Sequence, residues 1–412
     1  SFANVYQPPP TTTPETMKKM IDTRNAVPQS DQYLTPLISK ISKAESSVKK
    51  FLRRLVFGSI AFAIFRMILE AGALYLVLMI VAAQIQVYKE LVNVRYQKYK
   101  RDKVGQLADV PMFRTLQWFW FLVAMFHTYG TFLKKYASNK TTMQWVSKSM
   151  HMHQMVTFAL FSLAFILSIV TIRPKSLKYQ VGHLSWTVVS IVIVCAQMIQ
   201  APFMCHSGTF WFFFPAFLVI NNDCWAYASG MLFGKRFIKR TFLALSPNKT
   251  WEGFIGATIM TVIAGWYSAD MFSDRMEFIC PTETLGVVPL DCVKNDIFVR
   301  QTIQLYPMLQ SVGFPAEIIA KPIQLHAICF ALVASLVAPF GGFMASAIKR
   351  ANGVKDFASI IPGHGGFTDR LDCQMLMSLY VWVHFSTLVM PYVPLRDRLV
   401  DEFGMLSNDD RT

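Results

Sequence analysis

Ser346-Ala-Ile-Lys349-Arg350-Ala-Asn-Gly353-Val-Lys355-Asp356-Phe-Ala-Ser-Ile-Ile-Pro362-Gly363-His364-Gly365-Gly366-Phe-Thr-Asp369-Arg370-Leu-Asp372 lies between two long apolar runs. It packs four cations, three carboxylates and a histidine into a half of the chain where charge is otherwise scarce. Ser346, Lys349 and Arg350 fall on adjacent turns of a helix end. Pro362, Gly363, Gly365 and Gly366 break the helix and let backbone approach a ligand closely. Asp369 and Asp372, three apart, share a face of the next helix. Lysine and arginine hold phosphate oxygens, and carboxylates are the hard ligands that magnesium takes, so the combination fits phosphate chemistry on a divalent metal at a membrane surface. A plain positive-inside loop, whose acids only pair with its bases, has no need for Pro362-Gly-His-Gly-Gly366.

Working outward, the 412 residues are 53% hydrophobic and only 16% charged, too apolar for an ordinary soluble enzyme. The fold class expected is an all-α polytopic membrane protein. A net charge of +15 could suggest nucleic acid. The basic residues, however, sit in short loops beside apolar runs and in the N-terminal segment, which favours topology determinants and binding of anionic lipid or nucleotide.

A hydrocarbon core about 30 Å thick needs roughly 20 helical residues. Residues 55 to 88 are too long for one crossing and read as two spans hinged near Gly72. Arg66 and Glu70, one helical turn apart, are expected to pair in the bundle interior, in a structural or a functional role. Further spans are expected at about 116–133, 154–172, 184–204, 208–232, 252–272, 324–345 and 374–394, about nine in all. Segment 208–232 is the doubtful one, because Asn221, Asn222 and Asp223 interrupt it.

Residues 1–47 form a polar tail, opened by the proline and threonine stretch after Tyr6. Residues 48–396 are the expected transmembrane catalytic domain, and 397–412 a polar C-terminal tail. The chain opens on Ser1 rather than Met, and nothing about targeting follows from that. Loops 233–252 and 346–372 are both cation-rich, while 273–321 between them is slightly acidic. Two crossings separate the basic loops, so they share the cytoplasmic-side face, where the polar active site is expected, and 273–321 is lumenal in type. Its Cys280 and Cys292 are either disulfide-bonded or free. Cys195, Cys205, Cys224, Cys329 and Cys373 stand singly and read mostly as small core residues.

Two further constellations belong to the cation-rich face. Asp223 within an apolar span is either part of a polar helix-packing knot or a metal ligand oriented through Asn222. Ser246-Pro247-Asn248-Lys249-Thr250-Trp251-Glu252 carries a helix-start signal, with Ser246 as cap and Pro247 at the first position. Free N–H groups at such a start attract phosphate, and Lys249 would reinforce them; a capped interfacial helix with a snorkelling lysine has the same pattern.

The stretch from Ser346 to Asp372 resembles the signature of phosphatidate cytidylyltransferases, also called CDP-diacylglycerol synthases. The match runs through Ser346, Lys349-Arg350, Lys355-Asp356, His364-Gly365-Gly366, Asp369-Arg370 and Asp372. It extends to Asn222-Asp223 with Ala226-Tyr227, to Ser246 through Gly253, and to the run from Pro339 to Gly342. It covers about residues 50 to 395 and is nearer the eukaryotic branch, which also carries the paired-cysteine loop. Asn248 departs from the usual lysine, and the basic turn Lys235-Arg-Phe-Ile-Lys-Arg240 is extended.

The resemblance implies transfer of the cytidylyl group of CTP to phosphatidic acid, giving CDP-diacylglycerol and pyrophosphate. It suggests magnesium on Asp223, Asp356 and Asp369, with room for a second, monovalent cation. Lys349, Arg350, Lys355 and Arg370 would act on the phosphates, and His364 would donate to a phosphate oxygen or shape the glycine turn. Asn222, Ser246, Lys249, Ser346, Gly365 and Gly366 would line the substrates. The partners implied are CTP, phosphatidic acid and membrane lipids, with no nucleic acid and a homodimer open. The membrane implied is the endoplasmic reticulum, with the mitochondrial inner membrane as alternative. Two competing functions stand beside it: a CTP-dependent polyprenol or phytol kinase, which would release CDP, and a transporter or architectural membrane subunit.

Overall fold

The computed structural model describes residues 47–102, 112–138, 148, 150–196, 207–240, 242–243, 246, 249–281, 292–304, 307–311, 313, 315–358, 360 and 365–389. The expectations for the tail before Ser47, for Cys205, Pro247, Asn248, Pro362, Gly363 and His364, and for 397–412 lie outside these residues. The chain divides into two units, residues 1–59 and 60–412. In the first, the described backbone is helical from Ser47 onward.

Helix α1 (Ser47–Ala71) and helix α2 (Ala73–Asp102) are separated at Gly72, whose φ of 110° is a conformation that glycine alone adopts freely. The hinge read from the sequence is therefore real. Arg66 and Glu70 do pair, at 2.8 Å, but their side chains are 73% and 57% exposed. The interior expectation fails because Phe65, Ile68 and Leu69 form the face of α1 that packs inward.

There follow α3 (Phe113–Ser138), α4 (His153–Val170) and α5 (Leu177–Ile191), the last ending in a π-turn over Val192–Ala196. Next come α6 (Phe210–Phe233) and α7 (Trp251–Ser273). The doubtful segment is an unbroken helix, since Asn222 is buried and its Oδ1 accepts a hydrogen bond from Thr261 Oγ1 at 3.4 Å. The polar side chain is spent on the contact with α7 and leaves the backbone ladder intact.

The helix-start expectation at Ser246 is corrected. Thr250 is the cap of α7, its Oγ1 accepting from the Gly253 amide at 3.2 Å. Ser246 instead sits in a tight turn: its amide donates to Leu243 O, and the Lys249 amide donates to Ser246 O, each at 3.1 Å.

Beyond α7, Cys280 and Cys292 form a disulfide, and β1 (Gln301–Gln304) pairs antiparallel with β2 (Glu317–Ala320), Gln301 opposite Ala320. Lys321 is 3% exposed; its Nζ reaches Asp270 Oδ1 at 3.0 Å and Asp274 Oδ1 at 2.8 Å, tying the loop back to the end of α7. The expected span at 324–345 falls within Pro322–Ala351, which is long and apolar enough to cross a membrane, and it is built from two helices, α8 (Pro322–Leu336) and α9 (Pro339–Ala351). Pro339 has no N–H to continue the ladder. Helix α10 (Thr368–His384) ends in a π-turn over Phe385–Val389.

Among the described residues the fold is thus all-α apart from one short pair of strands. Among the described residues four stretches are long and apolar enough to cross a membrane: Leu74–Tyr96, Met150–Val170, Leu177–Cys195 and Pro322–Ala351. The other helices coincide with expected spans, and a count of nine is not established. One core cluster joins α6, α8 and α10 through Phe210, Phe214, Leu218, Phe330 and Met377. A second joins α2, α3, α9 and α10 through Leu76, Tyr88, Phe121, Ala345 and Met375. Small residues set the close approaches: a Cβ on Gly256 would lie 2.5 Å from Ser229 Oγ, and one on Gly341 2.3 Å from Asp372 O. Of the lone cysteines, Cys195 and Cys373 are buried as expected, whereas Cys224 and Cys329 are exposed.

Candidate functional site

The polar stretch folds around the end of α9 and the start of α10. Helix α9 closes with Lys349 and Arg350 in its last turn. The Gly353 amide then donates to Arg350 O, and the Val354 amide to Lys349 O, both at 3.0 Å. With Gly353 at φ 65°, this is a Schellman end, which turns the chain sharply after the two cations. Lys355 and Asp356 follow, both exposed.

Asp369 fastens this turn to the next helix. Its Oδ1 takes Lys349 Nζ at 2.5 Å, and its Oδ2 accepts the amides of Phe357 at 3.2 Å and Gly366 at 3.1 Å. The Lys349 ammonium also lies 5.6 Å from the centre of the Phe357 ring. Asp356 is on the same side of the loop: a Cβ on Gly365 would be 3.2 Å from Asp369 Oδ2 and 3.9 Å from Asp356 Oδ1. Gly365 holds φ 82°, so glycine is needed there for conformation as well as space.

A second carboxylate pair lies beside the first. Asp223 on α6 is within electrostatic reach of Lys249 and Arg370. Asp372 on α10 is within reach of Asp223 and Lys349. Asp372 Oδ1 accepts the Cys373 amide at 2.7 Å, and its Oδ2 lies 3.4 Å from where a Cβ on Gly342 would be. Lys249 rests over the Phe343 ring, 4.8 Å from its centre, which brings the loop before α7 against α9. The structure therefore gathers Asp223, Lys249, Lys349, Asp356, Gly365, Gly366, Asp369 and Arg370 at one end of the bundle. Ser346 stands one turn before Lys349 on α9, and Arg350 is exposed. Asn222 points instead into the α6–α7 contact, and Ser246 serves its own turn through backbone groups.

Two carboxylates of this region were not assigned from the sequence. One is Asp372, counted only as part of the motif. The other is Glu90 on α2, 2% exposed, whose Oε1 accepts the Phe367 amide at 3.0 Å and whose Oε2 accepts the Thr368 amide at 2.8 Å. Gln86 Nε2 donates to the same Oε1 at 3.3 Å. A carboxylate at a helix N-terminus satisfies free N–H groups and complements the dipole, so Glu90 holds the helix that carries Asp369, Arg370 and Asp372. A Cβ on Gly366 would meet Glu90 Oε2 at 2.7 Å, which explains the glycine. The signal was present: Glu90 is an acid in register with the apolar residues Val87, Tyr88, Leu91 and Val92.

Among the described residues no three His, Cys, Asp or Glu side chains are grouped tightly enough to hold a metal by themselves. Magnesium does not require that, because it usually keeps water and binds one or two carboxylates plus phosphate oxygens. The paired carboxylates, Asp356 with Asp369 and Asp223 with Asp372, fit that mode of binding. Asp369 fits it least, since both its oxygens already have donors.

Residues 52–388 match the Cytidylyltransferase family. The chain is 35% identical over 348 residues to a probable phosphatidate cytidylyltransferase of Dictyostelium discoideum, covering 83% of this chain and 71% of that one. It is 35% identical over 344 residues to phosphatidate cytidylyltransferase 1 of Arabidopsis thaliana, with 82% and 79% covered. It is 32% identical over 366 residues to phosphatidate cytidylyltransferase 1 of Homo sapiens, with 88% and 77% covered.

Proposed function

The chain belongs to the cytidylyltransferase family, and from that premise we infer that it transfers the cytidylyl group of CTP to phosphatidic acid, releasing pyrophosphate and leaving CDP-diacylglycerol in the membrane. The observation that carries this is the convergence of Lys249, Lys349 and Arg370 on paired carboxylates at one end of an apolar bundle. A lipid phosphate and a triphosphate can meet there.

The chemistry asks little covalent work of the protein. Phosphatidate brings its own ionised oxygen, which attacks the α-phosphorus of CTP; the new P–O bond forms as the bond to the β-phosphate oxygen breaks, and the electron pair leaves on pyrophosphate. Catalysis then consists of placing two anions in line and stabilising the charge that moves. Lys249 and Arg370, within electrostatic reach of Asp223, supply positive charge, while Lys349 is held in place by Asp369. Arg350 and Lys355, both exposed, supply further cations at the mouth. His364 is assigned to a phosphate oxygen by the resemblance alone. Gly365 and Gly366 are assigned to the substrates by the resemblance, as positions where backbone can approach a ligand closely.

Magnesium is part of this proposal, with Asp223, Asp356 and Asp369 as its ligands and Asp372 beside them. When bound it would supply positive charge that offsets the charge developing on the phosphates. The membrane proposed is the endoplasmic reticulum, since the Cys280–Cys292 disulfide suits a loop that faces an oxidising lumen; the mitochondrial inner membrane is the alternative. Assembly as a homodimer is carried forward as an expectation of the resemblance.

The test is an assay of purified protein with phosphatidic acid, magnesium and CTP labelled at the α-phosphate. Label should appear in lipid, with pyrophosphate released and the signal lost on adding EDTA. Label retained in CDP while a polyprenol becomes phosphorylated would replace the transferase by a kinase.

A further inference from the structure

The basic turn after α6 has no part in the reaction described above, yet it is built with care. Gly234 through Arg240 leave α6 at the end of the bundle where the site lies. Lys235, Arg236, Lys239 and Arg240 are all exposed, and between them Phe237 is 79% and Ile238 37% exposed. Free cations around a bare aromatic ring are unfavourable in water for the ring and unremarkable for the cations. At a negatively charged lipid surface both groups are satisfied together.

The turn is also held in one shape. Glu252, in the first turn of α7, accepts the amides of Phe237 at 3.0 Å and Ile238 at 2.8 Å through Oε1. Lys235 takes φ 62°, a left-handed conformation that a lysine holds only when its surroundings impose it. A Cβ on Gly234 would lie 2.2 Å from Gly230 O and 3.3 Å from Thr250 Cγ2, so the turn starts pressed against the cap of α7. Glu252 is three residues from Lys249, which acts on Asp223. Bracing by Glu252 thus fixes the basic turn relative to the site.

We propose that the Lys235–Arg240 turn is a docking surface for the anionic headgroup layer of the membrane, with Phe237 seated below the phosphates and the four cations paired with them. The occupant is lipid: the turn's charge is opposite to that of anionic headgroups, and it is braced by Glu252 at the start of α7, where Lys249 rests on Phe343 of the membrane-length stretch Pro322–Ala351. It concentrates anionic lipid, the substrate class of the proposed reaction, at the mouth of the site. To that extent it rests on the function proposed above, whereas the physical docking does not.

Two measurements on the full chain in lipid nanodiscs test it. In the first, Lys235→Gln, Arg236→Gln, Lys239→Gln and Arg240→Gln are combined. The apparent KM for phosphatidic acid, as mole fraction in phosphatidylcholine, should rise by at least about 5-fold, the worth of one surface cation, with KM for CTP unchanged. An equal rise in KM for CTP would overturn the proposal by placing the turn on the nucleotide, and an unchanged KM for phosphatidic acid would overturn it outright. The second needs no turnover. The difference in tryptophan emission between Phe237→Trp and the parent protein should be quenched by brominated acyl chains, more strongly in discs containing phosphatidylserine than in neutral ones. Emission typical of water with no quenching in either disc would overturn the docking even if the enzyme were active. Quenching in a protein that proved inactive on phosphatidic acid would leave the docking standing and remove the reaction.

Discussion

Glu90 Oε2 accepts the backbone N–H of Thr368 at 2.8 Å across 278 residues of chain. Through this bond, and its neighbour to Phe367 at 3.0 Å, a buried acid on α2 sets where α10 begins. Replacing it with alanine leaves two buried donors without partners, at about 1–3 kcal/mol each. Glu90→Ala should therefore lower thermal stability in detergent and reduce turnover on the order of 100-fold through misplacement of Asp369 and Arg370. Glu90→Gln, which keeps one acceptor, should fall between. Wild-type turnover in Glu90→Ala would show that the start of α10 is set by other contacts.

Gly366→Ala attacks the same bond from the other side, because its Cβ would lie 2.7 Å from Glu90 Oε2 and 3.0 Å from the Ala358 amide. The single change is expected to cost about as much as Glu90→Ala. The double variant should be clearly less damaged than the sum of the two singles, since groups in contact are not additive. Strict additivity in unfolding midpoints would separate the two residues.

The carboxylates of the site are expected to divide by role. Asp369→Asn removes the anion that Lys349 and two backbone amides share, so it should lose both activity and about 3 kcal/mol of stability. Asp223→Asn and Asp356→Asn, on exposed residues, should abolish turnover while the melting temperature stays near that of the parent. A magnesium titration of each variant checks the assignment. Full activity in either would take that residue out of the proposed ligand set.

The Cys280–Cys292 bridge closes a loop with a sequence separation of 12, for which chain entropy gives about 2–3 kcal/mol. Cys280→Ser should lower the unfolding midpoint and leave KM for CTP unchanged, because the disulfide loop follows the far end of α7. A change in KM without a change in stability would connect that loop to the site.

Much of the architecture was legible along the chain. Apolar run lengths located the helices, Gly72 marked the break between α1 and α2, and the charge of the loops flanking 273–321 marked where the polar site would form. The Ser346–Asp372 pattern pointed to phosphate chemistry because its residue types are costly beside a membrane unless they hold something. These are local properties, readable from spacing, caps and hydropathy.

What failed was what depends on a partner distant in sequence. The Asn221-Asn222-Asp223 interruption looked like a break until Thr261 supplied a neighbour for Asn222. Ser246-Pro247 has the letters of a helix start, yet the turn closed at Leu243 and Lys249 moved that start to Thr250. Glu90 lies 277 residues from Phe367, and no periodicity links them. The sequence by itself determined that this is a helical membrane protein with a charged loop whose residue types suit phosphate chemistry. Only the tertiary structure decided which carboxylate holds that loop, because a buried acid acquires its role from the N–H groups that folding brings to it.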